Sequence, residues 1–199
     1  MSKAESLFRM TVSGVCGLLS PLISLTMIFV AISLSPWFNW TENALSDLGV
    51  SGLASIVFNS SLIIAGILAV VFAFGLVKIL PNRVPVKVGI GVLVLSATSL
   101  CCIGFFPETT RIIHYFFSLA FFILLGLSML IIGLTTIVYS PRKPLGWFAL
   151  LIGIWAFAPW IFEWNGVAIP EFISALAGST WAIVMSIRML RNRRLVTKL

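Results

Sequence analysis

The heptad Asn43–Gly49 concentrates polar groups in a chain that is otherwise strongly apolar. It places the amide of Asn43, the hydroxyl of Ser46 and the carboxylate of Asp47 within five residues. Ser46 or Asp47 could cap a short helix, and Gly49 could end a turn. The same groups could hold a polar ligand or take part in proton transfer, so the heptad is the first candidate for a functional site.

A second group of polar residues lies at the predicted start of the fourth apolar segment. Arg111 and His114 are three residues apart, so they share one face of a helix. Glu108 lies one turn earlier, near the helix N-terminus, where a carboxylate is favoured. A carboxylate beside a histidine can act as a general acid–base pair. The catalytic candidates are therefore His114 with either Asp47 or Glu108.

Connections from three parts of the chain should bring these groups together at one mouth of the bundle. Arg111 is the only cation among five carboxylates on this side, so we expect it to pair with Asp47 or Glu108. The candidate ligand-binding residues are Asn43, Ser46, Asp47, Asn59, Glu108, Arg111, His114, Glu163 and Glu171.

Three functions fit this group of residues. It could form an outward-facing polar pocket that binds a lipid head group or a small amphiphile. It could be the active site of a membrane-embedded enzyme, or it could be only a latch that ties loops together in a structural or assembly subunit. A cavity of roughly a few hundred cubic ångströms beside Asp47 and His114 would favour the pocket, whereas a packed cluster would favour the latch.

Metal and cofactor chemistry lacks the residues that it needs. His114 is the only histidine, and Cys16, Cys101 and Cys102 all lie within apolar segments, where cysteine usually serves as a small buried side chain. The sequence has no phosphate-binding glycine loop and no nucleophile elbow. We therefore predict neither a metal site nor a cofactor.

The composition of the chain is that of a membrane protein. Of its 199 residues, 60% are hydrophobic and only 10% are charged, whereas soluble domains are about 25% charged. The net charge of +7 would suggest nucleic acid in a soluble protein, but here the basic residues lie in short connections. We predict a multi-pass protein of the cell membrane that contacts lipid and could form a homo-oligomer. We predict no nucleic-acid partner.

Six apolar segments predict the fold. At about 1.5 Å per residue, each is long enough to cross a hydrocarbon core of roughly 30 Å as a helix. No segment alternates with the period of two that is typical of β-barrel strands. We predict an all-α bundle of six transmembrane helices, forming a single domain over residues 1–199. The predicted helices cover residues 10–34, 55–80, 86–106, 111–139, 145–162 and 170–190.

The distribution of charge predicts the orientation. Twelve of the thirteen Lys and Arg residues fall at the termini or in the second and fourth connections, and Arg111 alone falls on the opposite side. The positive-inside rule then makes both termini cytoplasmic. The basic set is Lys3, Arg9, Lys78, Arg83, Lys87, Arg142, Lys143, Arg188, Arg191, Arg193, Arg194 and Lys198. The outer carboxylates are Glu42, Asp47, Glu108, Glu163 and Glu171, and Glu5 alone is on the basic side.

Glycines within the segments are expected to be sites where helices pack closely, because a missing side chain lets two backbones approach. The glycines to which this prediction applies are Gly66, Gly75, Gly89, Gly91, Gly126 and Gly133.

Several motifs carry a resemblance to a known family. They are Asn43-x-Leu45-Ser46-Asp47-Leu48-Gly49, Phe58-Asn59, Gly104-x-Phe106-Pro107-Glu108 with His114 six residues on, and Ile169-Pro170-Glu171. With these motifs in this order, nearly the whole chain resembles an uncharacterised family of small six-helix membrane proteins of archaea and bacteria, catalogued as a domain of unknown function. The resemblance implies a six-helix membrane fold and leaves the activity open.

A more distant similarity is to the DRAM/Sfk-type membrane proteins of eukaryotes, whose first outer loop carries a Ser-Asp-Thr-Gly motif. The residues that match their pattern are Ser46, Asp47, Gly49, Phe58 and Asn59, and Leu48 stands where those proteins have Thr. Because those proteins are tied to lipid handling and membrane organisation, the similarity implies a lipid-related role.

Overall fold

The computed structural model describes residues 3–196, and it describes the side chains of residue 5 and of residues 7–192. Part of the predicted basic set lies outside these limits. Lys198 is outside the described residues, and the side chains of Lys3, Arg193 and Arg194 are outside the described side chains.

The described residues form six α-helices and no strands, which confirms the predicted all-α class. All six are long and apolar enough to cross a membrane when α5 is counted together with the 3₁₀ turn that extends it to Ile161, so the chain has the architecture of a multi-pass membrane protein. The helices are α1 (Lys3–Ser33), α2 (Gly52–Leu76), α3 (Val84–Phe105), α4 (Ile112–Tyr139), α5 (Lys143–Phe157) and α6 (Ala168–Val196).

Several helix ends differ from the predicted ones. Helix α1 begins at Lys3 rather than at residue 10. An ion pair between Arg9 and Glu5 (2.8 Å) lies within the additional turns and supports them. Helix α2 ends at Leu76 rather than at residue 80. Helix α5 ends at Phe157 and continues as a 3₁₀ turn, because Pro159 lacks the N–H that another α-helical turn needs.

The six helices form a ring in chain order. Each helix packs against the next one, and α1 packs against α6, which closes the ring. Hydroxyl groups reinforce these contacts within the apolar interior. Ser20 of α1 donates to the carbonyl oxygen of Ala65 in α2 (2.8 Å), and Ser96 of α3 donates to that of Phe121 in α4 (2.9 Å).

Close approach of helix backbones depends on glycine at several of the predicted positions. A Cβ on Gly133 of α4 would lie 2.6 Å from the backbone nitrogen of Leu150 and 2.9 Å from the carbonyl oxygen of Gly146, both in α5. The prediction of close packing is confirmed at Gly66, Gly75, Gly89, Gly126 and Gly133. It is wrong at Gly91, which is exposed and whose Cβ would meet no atom within 4 Å.

The two ends of the ring carry different connections. The connections at residues 34–51, 106–111 and 158–167 meet at one end, which we call the acidic end because it holds Glu42, Asp47, Glu108 and Glu163. The connections at residues 77–83 and 140–142 meet at the other, the basic end, where α1 begins and α6 ends. The buried core forms one cluster toward each end of the ring.

Candidate functional site

A short 3₁₀ turn at Leu45–Gly49 lies across the acidic end of the ring, packed against α1, α2 and α6. We call it the cover turn. Its apolar side chains point inward, since Leu45 is 5% exposed and Leu48 is fully buried. Burying two leucines stabilises the turn by roughly 1.5–3 kcal/mol for each side chain. The apolar positions of the motif therefore fix the turn on the bundle, and the polar positions between them are available for hydrogen bonds.

Asp47 and Asn43 hold the cover turn in shape. The Asp47 carboxylate (Oδ2) accepts the backbone N–H of Ala44 (2.9 Å) and the side-chain amide of Asn43 (3.1 Å). The Asn43 side-chain oxygen accepts the backbone N–H of Asn39 (2.8 Å). Asp47 thus caps the start of the turn, as expected of a residue of this type. Because its contacts stay within its own connection, Asp47 is a structural latch in this arrangement and has no contact with His114.

Two carboxylates from other connections also hold the cover turn. Glu171, near the start of α6, is 8% exposed, and its Oε2 accepts the backbone N–H of Leu45 (2.7 Å). The Ser46 hydroxyl donates to Glu108 Oε2, which lies in the connection before α4. The cover turn is therefore joined to α6 through Glu171 and to the α3–α4 connection through Glu108, as the prediction of a shared mouth requires.

His114 is buried beside Glu108. Its Nδ1 lies 2.8 Å from the carbonyl oxygen of Phe106, and because a carbonyl can only accept, Nδ1 carries the hydrogen. Its Nε2 is buried without a hydrogen-bond partner among the described residues and lies 3.9 Å from Glu108 Oε2. Of the two predicted acid–base pairs, the structure brings together His114 with Glu108 but not His114 with Asp47.

Arg111 and Glu163 do not join this cluster. Both are exposed, and within the described part of the chain Arg111 makes no ion pair, so the expected pairing with Asp47 or Glu108 is wrong. The reason is local geometry. The backbone of Arg111 has φ 48° and ψ −100°, a region that favours glycine, and this conformation turns the chain into α4. Glu163 lies in the exposed α5–α6 connection.

Asn59 fixes the other side of the cover turn. Its amide nitrogen donates to the carbonyl oxygen of Gly49 (2.9 Å), which joins the end of the turn to α2. The α5–α6 connection is joined to the same loop by backbone bonds, from Gly166 N–H to Thr41 (2.8 Å) and from Ala168 N–H to Asn43 (2.8 Å). The loops of the acidic end thus form one hydrogen-bonded layer.

We expect Gly166→Ala to destabilise this layer. The added Cβ would lie 2.5 Å from the backbone nitrogen of Asn43, so the two connections would have to separate. Overpacking of this kind costs about 1–3 kcal/mol. Thermal unfolding of the purified protein should show a lower Tm for Gly166→Ala. Gly91→Ala is the matched control because its Cβ meets nothing, and an equal fall in Tm for both variants would contradict the prediction.

A cavity of about 130 Å³ lies inside the ring, directly beneath the cover turn. Leu45, Ser46 and Glu171 line its upper end, and Met129 and Trp181 line its lower part. Its walls come from α1, α2, α3, α4 and α6 and are mostly apolar. The cavity lies between the two clusters of the core and takes side chains from both. It is smaller than expected and adjoins Ser46 and Glu171 rather than Asp47 and His114.

The apolar wall carries a few polar groups that the sequence analysis did not select. They are Ser20, Ser24, Ser118, Ser179 and the indole of Trp181. Trp181 is 1% exposed, and its Nε1 has no hydrogen-bond partner among the described side chains. The sequence does contain a signal for these polar groups, because hydroxyl residues occur in the middle of apolar segments. Ser20 and Ser24, for example, are four residues apart and share one helix face.

Within the part of the chain that the structure describes, no group of three His, Cys, Asp or Glu side chains is placed to hold a metal ion. The cavity offers mostly apolar contacts along its walls, with a few hydroxyl groups among them, and hydrogen bonds to Glu171 and Ser46 beneath the cover turn. The Glu108–His114 pair is a separate, adjacent group that could transfer a proton.

Comparisons with known proteins define the family. No curated protein and no solved structure matches the chain. One family model, described as a protein of unknown function (DUF998), matches residues 18–188, which include the cover turn, the cavity and all six helices in whole or in large part. The chain therefore belongs to the DUF998 family of proteins of unknown function.

Proposed function

We propose that this protein binds an amphiphile whose apolar chain occupies the cavity and whose polar end lies beside Glu171 and Ser46. The observation that carries the proposal is the cavity itself, a mostly apolar space within the ring whose end beneath the cover turn holds the carboxyl group of Glu171 and the hydroxyl of Ser46. An apolar cavity of roughly 150 Å³ can hold a small apolar ligand. The volume of about 130 Å³ is of that order.

The shape of the cavity supports a single extended chain. Its lining on α6 runs from Glu171 to Ala182, which corresponds to about 16 Å at the helical rise of about 1.5 Å per residue. A small volume spread over this length makes the space narrow. Phe72, Met129 and Trp181 line the lower part with apolar surface. An alkyl chain has the length, width and polarity that this space would accept.

The end of the cavity beneath the cover turn favours an uncharged or cationic head group that forms hydrogen bonds. Glu171 uses Oε2 for the Leu45 N–H, and its Oε1 has no protein partner among the described residues, so Oε1 is available to form a hydrogen bond with a head group. Asp47 and Glu108 add negative charge nearby, which disfavours a phosphate. We therefore expect a hydroxyl or amine head group.

The placement of the protein supports a lipid source for this ligand. With the basic end at the cytoplasmic face, the cover turn would lie at the outer surface of the cell membrane, in reach of lipid from the outer leaflet. The distant resemblance of the motif to DRAM/Sfk-type proteins implies a lipid-related role, which agrees with this proposal.

The proposal is tested by native mass spectrometry of protein purified in a mild detergent. Ser179 lines the cavity, whereas its neighbour Thr180 is exposed on the outer face of α6, so Ser179→Leu and Thr180→Leu are a matched pair. Added bulk at position 179 should fill the cavity. We expect wild type and Thr180→Leu to retain an amphiphile, and Ser179→Leu to lose at least about nine-tenths of it, as an overpacked site implies.

Two results would contradict the proposal. One is a wild-type protein that retains no amphiphile even after incubation with a long-chain alcohol or amine. The other is equal retention by Ser179→Leu and Thr180→Leu, which would place any bound lipid on the outer surface of the ring.

The Glu108–His114 contact favours a second candidate, a membrane enzyme that transfers a proton near the cover turn. Ser46 donates to Glu108, and His114 Nε2 is 3.9 Å from the same oxygen. In this case His114→Gln should leave ligand retention unchanged and abolish conversion of the retained amphiphile. Retention without any chemical change in wild type would favour binding alone.

A further inference from the structure

A second cavity lies at the opposite end of the ring, distant from the cover turn. It has a volume of about 220 Å³ and lies between the α2–α3 and α4–α5 connections. Leu80 and Leu145 supply apolar wall, and Tyr139, Ser140 and Arg142 supply polar groups. This cavity plays no part in the proposed amphiphile site.

One buried polar atom in this cavity lacks a partner. Thr136 is 2% exposed and lines the cavity, yet its hydroxyl has no hydrogen-bond partner among the described residues. Its neighbour Thr135 instead donates to the carbonyl of Ile131 (2.7 Å), as threonines in helices usually do. A buried hydroxyl without a partner is unfavourable, so a ligand in this cavity that accepted a hydrogen bond from Thr136 would be favoured.

The charge around this cavity is positive and not neutralised. Arg142 lines the cavity, Arg83 lies over the ring of Tyr139 (5.2 Å to the centroid), and Arg188 of α6 is close enough to Arg142 for their charges to interact. Within the described side chains, none of these three arginines forms an ion pair, and the Nε of Arg188 is buried without a partner. The charged group that fits here is an anion.

We propose that this cavity at the basic end binds a phosphate group, held by Arg142 and the Thr136 hydroxyl. Arg binds phosphate through several donors, and a hydroxyl adds one more. Basic pockets between membrane helices are known to bind the head groups of anionic lipids. The cavity lies at the ends of α4 and α5, where a lipid phosphate would be located, and the same donors would also accept free phosphate.

The test is a set of thermal-shift measurements on the full chain in detergent. The additives are phosphatidylglycerol, phosphatidylcholine and inorganic phosphate, each titrated at constant ionic strength. The variants are Arg142→Gln, Thr136→Val and the control Lys78→Gln, which removes a charge from the basic end but not from the cavity lining. Thr136→Val should fold, since it replaces an unpartnered hydroxyl with a methyl group.

We expect phosphatidylglycerol to raise the Tm of wild type and of Lys78→Gln. Arg142→Gln should weaken the apparent affinity about fivefold, the value for one basic contact near a membrane surface, and Thr136→Val should weaken it as well. A shift with inorganic phosphate that also depends on Arg142 would identify free phosphate as a ligand, and a shift with phosphatidylglycerol alone would identify lipid. No shift with any anion, or equal shifts in wild type and Arg142→Gln, would overturn the proposal.

Discussion

Replacing Glu171 with Ala should loosen the cover turn and empty the cavity beneath it. Glu171 accepts the Leu45 N–H at 2.7 Å, and in the variant this buried donor would have no partner. Such a loss costs about 1–3 kcal/mol, and the removed side chain also leaves a void at the top of the cavity. Hydrogen exchange should show faster exchange in the peptide that contains Leu45–Gly49.

Glu171→Gln is the matched control for this prediction. Its side-chain oxygen can still accept the Leu45 N–H, so protection of the cover turn should be largely retained. The same two variants separate fold from function, because Glu171→Gln keeps the acceptor for Leu45 but replaces the carboxyl oxygen that the head group would contact. Unchanged protection of the cover turn in Glu171→Ala would show that this hydrogen bond does not hold the turn in place.

Replacing Gly133 with Leu should have the largest effect on the fold. A Cβ at this position would lie 2.6 Å from the Leu150 nitrogen, so even a methyl group conflicts with the backbone of α5. A whole leucine side chain would force α4 and α5 apart. Overpacking of a well-packed site typically costs up to about 3 kcal/mol. We expect little soluble, unaggregated protein after solubilisation and a lower Tm in what remains, measured by size-exclusion chromatography and thermal unfolding.

Gly91→Leu is the corresponding control on α3. Gly91 is exposed, and a Cβ added to it would meet no atom within 4 Å. A leucine there should therefore face lipid and leave the yield near that of wild type. Equal losses in Gly133→Leu and Gly91→Leu would mean that glycine acts through helix conformation generally rather than through the contact between α4 and α5.

The fold could be predicted from sequence because each segment is long and apolar, and because prolines and polar residues end the segments. The proximity of Ser46, Glu108 and Glu171 could also be predicted, because short connections between helices leave little freedom in where the loops of one end lie. Glycine alone did not predict packing at every position. Gly91 and Gly133 both lie in apolar helices, and only the direction in which each one faces separates them.

The charge pairing and the cavity could not be predicted in the same way. Counting charges made Arg111 the expected partner of Asp47, but the backbone at Arg111 places the guanidinium outside the cluster, and Asp47 finds uncharged partners in its own loop. The cavity depends on how five helices leave a gap along the ring. Serines such as Ser24 and Ser179 look the same in sequence whether they face a cavity or a neighbouring helix.

Photo-crosslinking tests the central claim, the seating of an amphiphile within the ring, most directly. The probe is a long-chain alcohol with a diazirine at the end of its chain, and the labelled positions are read from peptides. We expect labels at Met129 and Trp181 in wild type and Thr180→Leu, and their loss in Ser179→Leu. Labels confined to exposed residues such as Ile183, and present equally in Ser179→Leu, would contradict the account.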